Sequence, residues 1–128
     1  MEILQAGLDK LLKPFNGLNT TLVVTYSGST LTSPPKVNFD APISQHEVIT
    51  FVVSCKALGV SGKQGLYQLV DQVRKQVLGV RVTQFDPLIS AFTEVAAQYK
   101  GEVEPGFYSQ DLVIQASRPI TIIQKKYA

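Results

Sequence analysis

The stretch ALGVSGKQGL, residues 57–66, joins an apolar run, ITFVVSCKAL, to a helical-looking run, YQLVDQVRKQVLG. Strand, glycine-rich turn with Gly62-Lys63, then helix is the layout of a phosphate-binding loop. That chemistry needs glycine, four residues, then Gly-Lys-Ser or Gly-Lys-Thr, so that backbone N–H groups cradle phosphate and a hydroxyl holds magnesium. Here the first position is Ala57 and the last is Gln64. The dinucleotide pattern G-x-G-x-x-G fails as well, because Gly59, Gly62 and Gly65 recur every three residues. Nucleotide binding is therefore not expected. Ser61 with Gln64 three residues on reads instead as a capping box opening the helix. Two further groups have chemical potential. Glu102 and Glu104 flank Val103, and in a regular extended segment they would point to one side, as a hydrolase pair would; a charged hairpin tip is the plainer reading. Cys55 and His46 are the sole residues of their types. Too few thiol and imidazole ligands remain for a structural zinc site, and Cys55 in its apolar run reads as a small buried hydrophobe. No G-x-S-x-G elbow is present. No catalytic, cofactor or metal residues are assigned, and no enzyme activity is expected.

Composition frames these choices. The chain has 128 residues, 45% of them hydrophobic and 17% charged, enough apolar material for one domain core. Twelve basic residues against ten acidic give a net charge of +2, so no strong field toward nucleic acid or membrane arises. Lys100, Arg118, Lys125 and Lys126 gather late in the chain and read as a solvated surface. The start, MEILQAGLDKLLK, is amphipathic without a signal-peptide pattern, and no run approaches the ~18 apolar residues of a membrane span. A soluble protein of a reducing compartment is expected.

The elements follow from periodicity. Ile3, Leu4, Leu8, Leu11 and Leu12 repeat at helical spacing until Pro14 and Gly17. TLVVTYSG, 21–28, is β-branched and reads as a strand. Residues 28–46 carry three prolines among Ser, Thr, Asn and Asp, which predicts a long loop with strand-like ends or an arm that orders against a partner. EVITFVVSCKAL, 47–58, is apolar on both faces over Ile49–Val53, predicting a central strand covered on both sides. A helix over 62–78 buries Leu66, Leu69, Val70, Val73 and Val77 and stops at Gly79. Residues 86–101 are ambiguous. Asp86, Pro87 and Gly101 frame a helix with Leu88, Ile89, Phe92, Val95, Ala96 and Tyr99 on one side, whereas Ala91, Thr93, Val95, Ala97 and Tyr99 alternate as in a strand. Local signals favour the helix. EVEPG then reads as a hairpin loop before the alternating FYSQDLVIQAS, and ITIIQ, 120–124, as a further short strand after Pro119. Taken alone, these residues describe a soluble α+β binding or assembly domain.

The order of motifs goes further. An N-terminal helix, VVTYSGS, a Pro-rich stretch, EVITFVVSCKAL, a glycine turn, GLYQLVDQVRKQVLG and a hairpin ending EPGFYSQDLVIQ together resemble the small tail protein of Mu-like phages and prophages, a family related in layout to phage tail terminators. The most specific portions are Gly65–Gly79 and Pro105–Ile114. The resemblance implies a single α+β domain over 1–128, a mostly antiparallel sheet with two helices (about 3–13 and 62–78) packed on one side, and it favours the hairpin over the helix for 88–116. It also implies a structural protein of the virion, at the tail–neck junction, assembled in the bacterial cytoplasm. Its expected partners are itself as a ring of six subunits, the tail tube protein, head–tail connector proteins and, in contractile tails, the sheath. DNA would pass through the lumen without specific binding. A head–tail adaptor of similar fold is the alternative, and a small hydrolase using Glu102 and Glu104 a more distant one. Rings join copies through unlike surfaces, and free strand edges or arms suit that. The candidate interface segments are the 29–46 loop (Ser33, Pro34, Pro35, Lys36, Phe39), the 100–106 tip (Glu102, Glu104) and the 119–128 tail (Ile120, Ile122, Tyr127).

Overall fold

A computed structural model describes residues 1–32, 43–62 and 65–122. Helix α1 (Glu2–Leu12) is followed by a 3-10 turn (Lys13–Phe15), strands β1 (Thr20–Leu31) and β2 (Ile43–Leu58), helix α2 (Leu66–Val77), and strands β3 (Thr93–Glu104) and β4 (Phe107–Ile122). The four strands form one antiparallel sheet in the order β1-β2-β4-β3. Both helices cover the same side: α1 packs on β1 and α2, and α2 packs on β2 and β4. The α+β architecture with a mostly antiparallel sheet is thus the observed one.

Alternation along β2 fixes which face meets the helices. Ile49, Phe51, Val53, Cys55 and Ala57 are fully buried, and the residues between them are half-buried. Their partners on β4 follow suit, with Phe51 opposite Ile114, Val53 opposite Leu112 and Ile49 opposite Ala116. The helices complete this core with Leu4, Leu8 and Leu12 of α1 and Leu66, Leu69, Val70, Val73 and Val77 of α2. The i, i+4 spacing of the α1 leucines puts them on one narrow stripe, which leaves Ile3 48% exposed. Among the described residues, the expectation of cover on both faces of β2 is not met. Val48, Thr50 and Val52 face the side opposite α1 and α2, beside neighbours such as Val113 and Gln115.

Several boundaries differ from the sequence reading. The helix expected from 62 begins at Leu66, with Gly65 as its N-cap and no side-chain capping bond. Gly62 adopts φ +94°, which a helix cannot continue through, and Gln64 of the expected capping box lies outside the described residues. The Pro-rich excursion has the strand-like ends of one of its two readings, as β1 runs on to Leu31 and β2 starts at Ile43. Residues 93–104 form a strand, so the hairpin prevails over the local helix signals. Only Ile89 and Phe92 of the helical stripe are buried, while Leu88 is 68% exposed and Asp86 closes a local turn by accepting from Leu88 N–H at 2.8 Å. The hairpin loop is tighter than EVEPG: Glu104 pairs with Phe107, leaving Pro105 with its fixed φ and Gly106 at φ +80° to turn the chain. ITIIQ is not a separate strand, since β4 continues through Pro119. Beyond Gln115 that strand has no β3 partner, and an edge is where a residue without N–H is tolerated.

Candidate interaction surfaces

The turn before α2 is wired opposite to a phosphate cradle. Leu66 N–H donates to Gly59 O at 3.0 Å, Tyr67 N–H to Val60 O at 3.1 Å and Gly65 N–H to Gly62 O at 3.2 Å. The loop presents carbonyls to the helix start, and these consume the donors an anion would need. Lys63 lies outside the described residues. Addition of Mg-ATP at about 1 mM is accordingly expected to leave the thermal unfolding midpoint unchanged; a rise of several degrees would contradict the loop geometry.

The two glutamates are separated by a bulge. Register shifts between Glu102 and Glu104 place Glu102 opposite Tyr108, on the helix side, and Glu104 opposite Phe107, on the open side. They are therefore not the one-sided pair a regular strand would make. Glu102 accepts from Gly106 N–H at 3.0 Å and braces the turn. Glu104 pairs with Lys56 at 3.1 Å, and the same ammonium sits 5.5 Å from the Phe107 ring centre.

Cys55 and His46 do not meet either. They lie on opposite faces of β2, about 30 Å apart along it at ~3.3 Å per residue. Burial, helped by the Asp111 charge, pushes the Cys55 thiol up to about 12. The native state thus holds this proton more tightly than the unfolded chain does. The stabilisation is complete below the unfolded thiol's pKa of ~8.5 and is lost as pH rises through about 12. Denaturation series between pH 8 and 11 are expected to show falling stability that Cys55→Ala attenuates, and iodoacetamide at pH 8 is expected to label the thiol only when the chain unfolds.

Of the candidate interface residues, Ser33, Pro34, Pro35, Lys36, Phe39 and Tyr127 lie outside the described residues. Ile120 is half-buried opposite Gln45, and Ile122 pairs through its backbone with Ile43. The described ends of the 29–46 and 119–128 segments therefore share one three-stranded arm: β1 beyond Gly28, β2 before Ile49 and the end of β4. A charged cluster fixes its base. Arg118 bonds Glu47 at 2.8 Å, approaches Asp86 at 3.6 Å and stacks 4.7 Å from the Phe85 ring centre, and Ser29 Oγ donates to Glu47 at 3.0 Å. Nothing in the local sequence signals this cluster, whose members are 29 and 118 at the extremes. A second pair, Arg74 to Glu94 at 2.8 and 2.9 Å, pins α2 to β3, and the bond to Glu94 raises the guanidinium pKa still further.

The strand edges offer less for pairing than expected. Along β1, Thr20 O accepts from Gly17 N–H, Leu22 N–H donates to Asn16 Oδ1 at 2.9 Å, and Val24 O accepts from Gln5 Nε2 at 2.7 Å. The helix and its 3-10 turn thus occupy the outward backbone groups of that stretch. Along β3, three register shifts in twelve residues break the edge. Of the basic residues read as a solvated surface, Lys100 lies 3.8 Å from Asp111, while Lys125 and Lys126 lie outside the described residues.

A groove of about 440 Å³ opens where Gly7, Lys10 and Leu11 of α1 face Arg81, Val82 and the end of α2. A Cβ at Gly7 would meet the Val82 methyls at 3.4 and 3.5 Å, an ordinary van der Waals contact. Among the described residues, no group of His, Cys, Asp and Glu is arranged to hold a metal ion, and no helix is long and apolar enough to cross a membrane. No protein-family model matches the chain, and the search of curated proteins finds no match.

Proposed function

We propose that this chain is a structural assembly protein of a phage or prophage tail, a terminator that caps the tail tube as a ring. The reading rests on the resemblance of its motifs, and the open sheet face is the observation that supports it. Val52 and Val113 sit opposite one another at the centre of that face, and Val23 and Val95 toward its sides are 52% and 51% exposed. A central strand patterned for cover on both sides, but covered on one by the described residues, suits a subunit whose remaining face is completed on assembly. In this reading the ring ends tube polymerisation and offers a docking surface to head–tail connector proteins.

The test is mass measurement of the purified protein, alone and with tail tubes. Ring-sized species on tube ends are expected, and a strict monomer that never binds tube ends overturns the proposal. Tails assembled without the protein separate the terminator from the adaptor. Overlong tubes are expected; tubes of normal length that lack heads assign the adaptor role instead.

A further inference from the structure

We propose that subunits join by seating the β3–β4 hairpin tip of one copy in the groove beside α1 of the next. The inference rests on the ring reading and names the surfaces that would close it.

Charge and shape favour this occupant. The groove has an apolar floor in Leu11 and Val82, with Lys10 and Arg81 at its rim and no carboxylate in its lining. Among the described residues neither cation forms an ion pair: Arg81 donates to the carbonyls of Pro87 and Ile89, both at 2.9 Å. A ligand for such a groove is acidic with an apolar centre. The hairpin tip brings such groups, since Glu102 and Glu104 lie on its two faces around Val103, which is 48% exposed at the bulge. Lys56 offsets one of the two carboxylates, leaving the tip net acidic.

The contact must form between copies. Gly59 N–H donates to Gly106 O at 2.8 Å and ties the tip to the N-terminal end of α2. The groove borders Gln76, in the last turn of that helix. Twelve residues of helix separate the two by about 18 Å, so a tip does not fill its own groove. Joining two different surfaces makes the contact head-to-tail, the geometry that closes into a ring when the rotation allows.

Val103→Cys with Thr83→Cys, treated with a short bis-maleimide, is expected to give a ladder of covalent oligomers, because each copy carries both halves of the contact while Cys55 is buried and does not react. Each single variant should stop at dimers. Independently, Lys10→Glu is expected to weaken self-association about tenfold, and adding Glu104→Lys to restore it. Assembled species that yield no ladder and ignore both charge reversals overturn the inference while leaving the ring reading intact. A chain that never self-associates, even on tail tubes, overturns both.

Discussion

Phe51→Ala is expected to lower the unfolding free energy by about 3 to 5 kcal/mol. Phe51 is fully buried at the centre of β2. Its ring lies 5.5 Å from Tyr26 and 6.3 Å from Phe92 at an edge-to-face 77°, so it links β1, the sheet centre and the 80–92 segment. Ile114 sits opposite on β4. A cavity here lies between the sheet and the layer above it, where close-packed neighbours such as Phe92 and Ile114 relax only partly into the space. Urea denaturation followed by far-UV circular dichroism measures the loss as a lower midpoint at an unchanged slope. Phe51→Leu, which keeps most of the volume, is expected to recover more than half of it. A loss below about 1 kcal/mol for the alanine variant would mean that Phe51 is not the keystone of this core.

Gly65→Ala is expected to cost about 3 kcal/mol, more than Gly59→Ala earlier in the same turn. The comparison is informative because dihedral angles alone rank the two the other way. Gly59 has φ +75° with open space where a methyl would go, and left-handed backbone costs an alanine about 1 to 2 kcal/mol. Gly65 has an ordinary φ of −77°, yet a Cβ there would collide with the backbone carbonyl of Ser61. Backbone cannot step aside as a flexible side chain can, so the turn that starts α2 must open. Side-by-side denaturation of the two variants measures the ranking, and equal or inverted losses would show that the turn accommodates a methyl.

The two elements with clean periodicity were legible in the sequence. The α2 stripe of Leu66, Leu69, Val70, Val73 and Val77 is buried as its spacing dictates, and the alternation of β4 maps onto its two faces. Boundaries were legible where a residue type forces them, as at Gly79, and not where a hydrogen bond does. The start of α2 is set by carbonyls of Gly59 and Val60 that only the folded loop brings into place. Residues 86–101 show tertiary override of a local pattern. Asp86, Pro87 and Gly101 can frame a helix, but pairing with β4 gives this stretch the packing partner that a lone helix would lack. The candidate surfaces were legible only in part. The sequence marks Glu102 and Glu104 as a tip, but the bulge that sends them to different faces has no local signature. Nor does the groove, which exists because residues 7–11 and 81–82 converge from separate parts of the chain.

The occupied 20–24 stretch of the β1 edge and the broken edge of β3 have a consequence for behaviour at high concentration. Sheets that recruit neighbours strand by strand grow without limit, and their growth is hard to reverse once seeded. Here Asn16 and Gln5 hold outward backbone groups of β1, and the bulges of β3 deny a straight template. In the proposed ring, contacts between copies then rest more on side chains, whose grip loosens with dilution and, for the charged ones, with salt. A ring held this way would form and dissolve with the concentration of chain, and excess copies would have little template on which to seed fibres.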